Sequence, residues 1–340
     1  MTVRLGIFLI PFVFFFLAAA ATAQTFVPAG RGAITITTSP KYPGPGDLVS
    51  LVASSFSFDL DRSEITWTAN GETIGQGPGM KEAVIVAGAL GSGADIVVSA
   101  IGQNGSATGD AHIRPTEIDL LWESDSYTPP FYRGRALPSA GTNLRIEAIP
   151  RLKLGSGELV PEQNIIYTWR RNGSIVQLAS GRGRSSLILP APVLFGTDTI
   201  TLTVETLDGQ LTGEKKIIVN SLEPFLALYQ DHPLFGIPYH QALSGQNDIS
   251  DSEMTFAAVP YFAQIENPDN YELEYSWRVN GREIPTDLNR PSELTVNAEG
   301  SSGFALIELV LTQANNLIMR SSGKWGIQFS ASGTGIDPFR

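Results

Sequence analysis

Two stretches of the chain concentrate acidic side chains, the residue type that binds hard cations through oxygen. They are FDLDRSE at 58–64 and NDISDSE at 247–253. In the second stretch, Asp248, Asp251 and Glu253 could together supply three oxygens to a calcium ion. Neither stretch has the spacing of a known calcium-binding loop, and acidic loops on an acidic chain are usually solvated. The sequence therefore predicts no metal site.

Other residue types that support catalysis are sparse. The chain has no cysteine and three histidines, His112, His232 and His240. The last two share one segment, but two imidazoles without the spacing of a zinc motif make a poor metal site. The sequence also has no Gly-x-Ser-x-Gly, His-Glu-x-x-His or phosphate-binding loop. We expect no enzyme and no cofactor; a hydrolase whose two carboxylates converge from distant parts of the chain stays an open alternative.

Two proline-rich segments concentrate aromatic and basic side chains. They are WESDSYTPPFYRGRALP at 122–138 and LYQDHPLFGIPYHQALS at 228–244. Rigid aromatics and arginine are good recognition anchors, so these segments are candidate binding loops. The candidate binding residues are Tyr127, Phe131, Tyr132, Arg133, Arg135, Tyr229, Phe235 and Tyr239, with His232 and His240 beside them. The alternative, which we favour, is that the segments cover a sheet edge or fill a domain joint.

The first residues of the chain indicate export. Arg4 precedes the apolar run LGIFLIPFVFFFLAAAATA, which ends in the small residues that signal peptidase accepts. We expect a signal peptide at 1–23 and cleavage before Gln24. The run is also long enough to stay as an uncleaved anchor, but Pro11 and its alanine-rich end favour cleavage. No later run approaches membrane-spanning length, so the expected product is free of the membrane and is extracellular, at the cell surface or periplasmic.

The charge balance argues against nucleic acid as a partner. The whole chain has a net charge of −11, and removal of Arg4 with the signal peptide leaves 22 basic against 34 acidic side chains, or −12. An acidic protein without a basic stripe repels a phosphate backbone.

Because the chain has no cysteine, it has no disulfides, and each exported domain must be held by its hydrophobic core alone. The absence of cysteine also leans towards a bacterial source.

A Trp followed by Asn-Gly occurs three times and explains how the elements are built. The stretches are ITWTANGETI, YTWRRNGSIV and YSWRVNGREI, with core and turn residues Trp67, Asn70, Gly71, Trp169, Asn172, Gly173, Trp277, Asn280 and Gly281. Apolar and polar residues alternate before each turn, which is the pattern of a half-buried strand. Asn-Gly is favoured where both central residues of a tight hairpin need positive φ. We therefore interpret the motif as a folding signature, in which Trp fills a core and Asn-Gly turns a hairpin.

The distance from each Trp to a second apolar strand is nearly constant. Trp67 to Val98, Trp169 to Leu202 and Trp277 to Leu309 are separated by 31, 33 and 32 residues. Copies two and three also match without a gap at an offset of 106, where Glu117 pairs with Glu223. The repeat unit is therefore a domain. We predict units at 33–115, 116–222 and 223–333, then a tail at 334–340, with joints too short and too proline-rich to behave as random coil.

Several short strands, regular turns and a buried Trp in each unit predict an all-β chain of three tandem antiparallel immunoglobulin-like β-sandwiches. The units resemble the bacterial immunoglobulin-like and polycystic-kidney-disease-type (PKD) domains that occur in tandem on exported proteins. The three Trp residues with their Asn-Gly turns carry the resemblance, together with YPGPGD at 42–47, which leads into a strand. The Gly-Asp-Gly of PKD-type domains and the two Cys of true immunoglobulin domains are missing. The resemblance implies spacing, adhesion or binding more than catalysis.

These observations predict a non-catalytic exported spacer or protein-interaction module at the cell surface. A specific version is a component of a surface appendage or export assembly, because the chain has no wall anchor and would be retained by surface or envelope proteins. The alternative is a carbohydrate- or peptide-binding protein that uses the aromatic segments of units two and three.

Overall fold

A computed structural model describes residues 31–103, 105–130, 132–249, 253–297, 303–314 and 316–329. The predicted signal peptide at 1–23 and the predicted tail at 334–340 lie outside the described residues, as does Phe131. The described chain forms three β-sandwiches in sequence, which we call domains 1, 2 and 3. Each sandwich packs a three-stranded sheet against a larger one, so the predicted all-β class of tandem immunoglobulin-like sandwiches is confirmed.

Domain 1 contains eight strands. They are β1 (Arg31–Ala33), β2 (Thr35–Ser39), β3 (Leu48–Ser54), β4 (Glu64–Ala69), β5 (Glu72–Pro78), β6 (Glu82–Val86), β7 (Ala94–Gly102) and β8 (Gly105–Ile113). The two sheets have the orders β1-β8-β7-β4-β5 and β2-β3-β6. All pairs are antiparallel except β1 with β8, which is a short parallel pair at the sheet edge.

Domain 2 also contains eight strands. They are β9 (Glu117–Ser124), β10 (Asn143–Arg151), β11 (Ile165–Arg171), β12 (Ser174–Ile175), β13 (Gly181–Arg182), β14 (Ser186–Pro190), β15 (Thr197–Thr206) and β16 (Thr212–Asn220). Two short 3₁₀ helices, Glu162–Asn164 and Gln177–Ala179, flank β11. The sheets have the orders β14-β10-β9 and β12-β11-β15-β16, and β13 also pairs with β11.

Domain 3 repeats the arrangement with longer final strands. They are β17 (Phe225–Asp231), β18 (Gln246–Ile249), β19 (Glu253–Tyr261), β20 (Leu273–Val279), β21 (Arg282–Ile284), β22 (Glu293–Asn297), β23 (Gly303–Gln313) and β24 (Asn316–Phe329). The sheets have the orders β17-β19-β22 and β18-β24-β23-β20-β21. The edge strand β18 pairs with β24 in parallel, as β1 does with β8.

One tryptophan lies at the centre of each hydrophobic core. Trp67, Trp169 and Trp277 are 0%, 0% and 1% exposed. Each indole Nε1–H donates a hydrogen bond of 2.9 to 3.0 Å to a backbone carbonyl 13 to 15 residues further on, and the three acceptors are Met80, Arg184 and Pro291. The hydrogen bond satisfies the only polar atom of a buried Trp side chain. The three cores are therefore built in the same way.

The Asn-Gly turns have the same backbone in all three domains. Asn70, Asn172 and Asn280 have φ of 50° to 52°, and the glycines that follow have φ of 77° to 85°. In each turn the Asn side-chain oxygen accepts a hydrogen bond of 2.8 to 2.9 Å from a backbone N–H of the neighbouring strand; the three donors are Asp95, Thr199 and Leu306. Asn is therefore favoured here both by its tolerance of positive φ and by this cross-strand bond.

Candidate functional site

The segment between β9 and β10 leaves its own sheet and contacts domain 3. At Tyr127 it pairs with the chain just after β19: the Tyr127 N–H donates to the Ala263 carbonyl at 2.9 Å, and the Phe262 N–H donates to the Tyr127 carbonyl at 2.7 Å. The Ser139 hydroxyl, which is buried, donates to the Phe262 carbonyl at 2.6 Å. Domains 2 and 3 are therefore joined by backbone hydrogen bonds as well as by the covalent link.

An apolar cluster, which we call the joint 2–3 cluster, fills the space around these bonds. Its buried members come from β17, β19 and the turn that follows: Ala227, Tyr229, Val259, Tyr261 and Phe262. Partly buried side chains from both domains pack against them, namely Tyr127, Leu137, Leu222, Ile237 and Tyr239. This cluster is separate from the core of domain 3 around Trp277, although Tyr127 touches both.

Tyrosine hydroxyls give the joint 2–3 cluster its polar contacts. The Tyr229 and Tyr261 hydroxyls are 2.7 Å apart and buried, so one donates to the other. Burial raises the pKa of Tyr127 to about 12, and the nearby Tyr239, Tyr261 and Asp269 act in the same direction. Burial also raises the pKa of Tyr229, and its hydrogen bond with the Tyr261 hydroxyl is the second cause. These phenols stay neutral at physiological pH, so the cluster behaves as an apolar contact with internal hydrogen bonds.

Tyr132 lies at the rim of this cluster. The residue is 38% exposed, and its ring packs edge-to-face on Tyr261 and Phe262 at centroid distances of 5.7 and 5.9 Å. Arg133 is exposed. Arg135 turns back to its own domain and lies 4.1 Å from the Trp122 ring centroid, which is a cation–π geometry.

The second aromatic segment divides into two parts. Tyr239 lies edge-to-face on Tyr229 at 5.6 Å and so belongs to the joint 2–3 cluster. Phe235 is 84% exposed at the tip of a turn, with its ring 4.7 Å from that of His232. The His232 Nδ1 accepts a hydrogen bond of 3.1 Å from the Leu234 N–H, which shapes the turn.

The structure thus brings together four of the eight candidate residues: Tyr127, Tyr132, Tyr229 and Tyr239. It places Arg135 and Phe235 elsewhere. Three aromatics of the site are absent from the sequence-based set, namely Phe225, Tyr261 and Phe262. Tyr261 is the last residue of the apolar strand β19, and Phe262 follows it with a positive φ of 63°, which is uncommon for a bulky residue. No local sequence signal distinguishes them from ordinary strand residues.

The joint between domains 1 and 2 has a different chemistry. The Thr116 N–H donates to the Pro43 carbonyl at 3.1 Å, and the Thr116 hydroxyl donates to the Thr212 carbonyl at 3.3 Å. A polar cleft lies beside these bonds and is lined by residues of both domains, among them Lys41, His112 and Arg114. Within the described ranges, no separate buried hydrophobic cluster fills this joint.

Metal-binding geometry is not found in the described part of the chain. Across those residues, no three His or acidic side chains converge closely enough to hold an ion. In the first acidic stretch Asp61 instead pairs with Lys81 at 2.8 Å. Residues 250–252 of the second stretch lie outside the described residues.

Comparison with known proteins yields matches of fold only. No family model and no curated protein matches the sequence. Among solved structures, the three N-terminal domains of the highly immunogenic outer capsid protein of bacteriophage RB49 are 10% identical over 89% of this chain and 99% of theirs, with a TM-score of 0.26. The central fibronectin-III array of RIM-binding protein is 12% identical over 87% and 96%, with a TM-score of 0.30. Extracellular domains 3–5 of Drosophila OTK are 10% identical over 89% and 95%, with a TM-score of 0.20. At these TM-scores, none of the likenesses bears on what this chain binds.

The sheets and joints define the class of protein. The chain is a tandem array of immunoglobulin-like β-sandwich domains, a class that typically serves as spacer or protein-interaction module and is seldom enzymatic. In the described residues, no helix has the length and apolar character that a membrane span requires.

Proposed function

We propose that this protein is a non-catalytic exported spacer and protein-interaction module, held at the surface of a bacterial cell by protein partners as part of a surface appendage or export assembly. Three sandwiches in tandem support the spacer role. The apolar N-terminal run with its small-residue end supports export. The loose match of the Trp and Asn-Gly motifs to bacterial immunoglobulin-like and PKD-type domains supports the surface role.

The observation that carries the proposal is the construction of the joint between domains 2 and 3. Two backbone hydrogen bonds at Tyr127 and a buried aromatic cluster connect the domains. Apolar burial stabilises by roughly 25 cal/mol per Å² of surface removed from water, so separating these domains costs free energy beyond the loss of the hydrogen bonds between them. A spacer needs such joints, because a freely bending chain transmits neither distance nor orientation.

Small-angle X-ray scattering of the exported chain tests the spacer role. We expect the distance distribution of an elongated particle with little bending between domains 2 and 3. A variant that combines a ten-residue Gly-Ser insertion between Leu222 and Glu223 with Tyr229→Ala and Tyr261→Ala is the control, since it removes the aromatic contacts of the joint together with its short covalent link. A compact particle for the native chain, or the same flexibility in both proteins, would contradict the proposal.

Export is tested separately by the N-terminus of the secreted product. We expect the mature chain to begin at Gln24, as read by N-terminal sequencing after expression in a bacterial host. Replacing Ala21 and Ala23 with Gln blocks the small-residue positions and should leave the precursor uncleaved. A native chain that keeps residues 1–23 in the membrane fraction would show an anchor instead.

A carbohydrate- or peptide-binding function is the second candidate. It is favoured by the exposure of Phe235 and by the partly exposed ring of Tyr132, which offer aromatic surface to a ligand. A glycan array and a peptide library probed with the exported chain test this function. Binding that is lost in Phe235→Ala or Tyr132→Ala, and kept in Leu178→Ala, another exposed apolar residue, would support it.

A further inference from the structure

The last strand of the larger sheet is covered by a further strand in domains 1 and 3, but not among the described residues of domain 2. In domain 1 the last strand, β8, is covered by β1, which pairs with it in parallel over three residues. In domain 3 the last strand, β24, is covered in the same way by β18 over four residues. The last strand of domain 2 is β16, and within the described residues it pairs only with β15. One side of its backbone is therefore free to accept another strand.

The course of the chain after β9 explains the difference. In domain 2 the segment that corresponds to β18 lies in the joint with domain 3, where Tyr127 and Ser139 make their contacts. Only a single parallel bridge, between Ser139 and Leu222, remains beside the end of β16. At the other end, Thr116 contacts Thr212. The stretch Glu214–Asn220 between these two contacts is left open.

Strand registers show which residue takes the same edge position in each domain. The core Trp pairs with a residue on the neighbouring strand, and that residue pairs in turn with one on the last strand. The residue on the last strand is Gly109 in domain 1, Gly323 in domain 3 and Lys215 in domain 2. In domain 1 a side chain at Gly109 would collide with the Ile34 carbonyl, just after β1, and in domain 3 one at Gly323 would collide with the Trp325 ring. In domain 2 the lysine at this place is exposed and puts a positive charge on the edge.

The charges on β16 select among strands that could bind there. Lys215 and its neighbour Lys216 are both exposed, and neither belongs to an ion pair between described residues. They lie on opposite faces of the sheet, since Lys215 is opposite the buried Leu202 and Lys216 is opposite Thr201. Antiparallel pairing of two copies of β16 would bring lysines close to lysines, and lysine on an edge strand discourages such self-pairing. An extended segment with two adjacent acidic side chains, one on each face, would instead meet complementary charge. An apolar residue two positions beyond the acid beside Lys216 would lie beside Ile218, which is exposed at 58%.

We infer that the β16 edge, Glu214–Asn220, is a docking site for an extended acidic segment of a different protein, which adds to the sheet of domain 2 as a parallel strand. This inference rests on the proposed function as an interaction module and specifies how the module binds. Main-chain hydrogen bonds supply the attachment and the two lysines supply the selectivity. Domains 1 and 3 do not offer this site because their own strands occupy it.

Hydrogen exchange of the whole exported chain tests the inference. The probe is the seven-residue peptide Thr-Val-Glu-Glu-Thr-Val-Thr, capped at both ends, whose two adjacent Glu side chains point to opposite faces as those of Lys215 and Lys216 do. The comparison probe has Lys in place of both Glu. We expect the Glu peptide to slow exchange of amides in Glu214–Asn220 several-fold, with no such change in β8 or β24. Reversing both charges, Lys215→Glu with Lys216→Glu, should weaken this peptide by about tenfold and favour the Lys peptide, because two attractive pairs become repulsive.

The control variant is Arg62→Glu with Lys81→Glu, which changes the net charge by the same amount in domain 1 and should leave peptide binding unchanged. Three results would overturn the inference: no protection of β16 at saturating peptide, equal protection by both peptides, or protection that depends on protein concentration without peptide, which would make a second copy the occupant. The first two results leave the scattering profile unchanged, and the third changes it only as protein concentration rises, so a failure here is distinguishable from a failure of the spacer role at low protein concentration.

Discussion

The two joints of this chain connect domains of the same fold through links of similar length, but they use different interactions. The joint between domains 1 and 2 rests on two hydrogen bonds of Thr116 beside a polar cleft. The joint between domains 2 and 3 rests on backbone pairing at Tyr127 and on a buried cluster that contains Tyr229 and Tyr261. Water competes for the hydrogen bonds of the first joint, whereas the second removes apolar surface from water.

The difference shows that the stiffness of a tandem array is set joint by joint. A hydrogen bond at a wet boundary contributes on the order of 1 kcal/mol, and polar interdomain contacts permit relative motion by default. A cluster of several aromatics contributes more, because each one buries a large area. We therefore expect domains 2 and 3 to move as one body and domain 1 to move more freely.

The largest effect is expected for a substitution in the core of domain 2, the domain that takes part in both joints. Trp169→Ala should lower the stability of domain 2 by about 3 to 5 kcal/mol, because the change leaves a large cavity and removes the indole hydrogen bond. Scanning calorimetry of the full chain should show one transition moving to lower temperature, with both joints lost when it unfolds. Leu178→Ala, at a residue that is 94% exposed, should leave the trace unchanged. An unaltered trace for Trp169→Ala would show that the Trp is dispensable.

The next effect concerns the hydroxyl pair of the aromatic joint. Tyr229→Phe should lower the stability of domain 3 by about 1 to 2 kcal/mol on the face that contacts domain 2, because β17 and β19 are paired strands of that domain and the change leaves the buried Tyr261 hydroxyl without its partner. The double variant Tyr229→Phe with Tyr261→Phe should recover most of that loss, since both hydroxyls are then absent. Denaturant unfolding of the four proteins gives the coupling energy of the pair. Additive losses in the double variant would mean that the two hydroxyls act independently.

A pH titration separates the aromatic joint from the polar one. Burial raises the pKa of Tyr127 to about 12, while an unfolded tyrosine loses its proton near pH 10. The native state therefore holds more protons than the unfolded state above about pH 10, and the free energy of unfolding falls as pH rises from about 10 to 12. Absorbance at the tyrosinate band and scattering in the same pH range should show the joint opening as phenolate forms. In Tyr127→Phe this part of the pH dependence should be absent.

The smallest effect is expected at the polar joint. Thr116→Val keeps the shape of the side chain but removes the hydroxyl that bonds the Thr212 carbonyl, and we expect a loss of about 1 kcal/mol or less. The scattering profile should show somewhat more bending between domains 1 and 2, with no change between domains 2 and 3. Thr37→Val, on an exposed strand position of domain 1, is the matched control. A loss as large as that of Tyr229→Phe would erase the contrast between the joints.

The fold follows largely from local patterns. The alternation before Trp67 and its two counterparts, with the Asn-Gly turns, predicts hairpins of an antiparallel sandwich, and the structure contains them. The periodicity also implies a buried side for each strand. It does not reveal that the Asn side chains bond across to the next strand, because that contact joins residues about 25 positions apart.

The candidate site was accessible to sequence analysis only in part. The aromatic composition of the segments around Tyr127 and Tyr239 marks them as unusual, and both contribute to the joint 2–3 cluster. Their partners Tyr261 and Phe262 lie at and just after the end of β19, a strand with ordinary composition, so nothing local singles them out. The sequence also does not reveal that Phe235 and Tyr239 lie apart. They are only four positions apart in the chain, but the turn between them puts Phe235 at an exposed tip and Tyr239 in the joint.

The sequence by itself determined the period of the repeat, the strand and turn preferences, and a Trp for each core, since these depend on residues close together in the chain. Only the tertiary structure decided which segment covers which sheet edge. The segment after β9 pairs with domain 3 through Ser139 and Phe262, 123 positions apart, and leaves β16 open, whereas β18 folds back on its own domain. Those two outcomes differ in long-range packing and in hydrogen bonds between distant backbones, neither of which has a local signature.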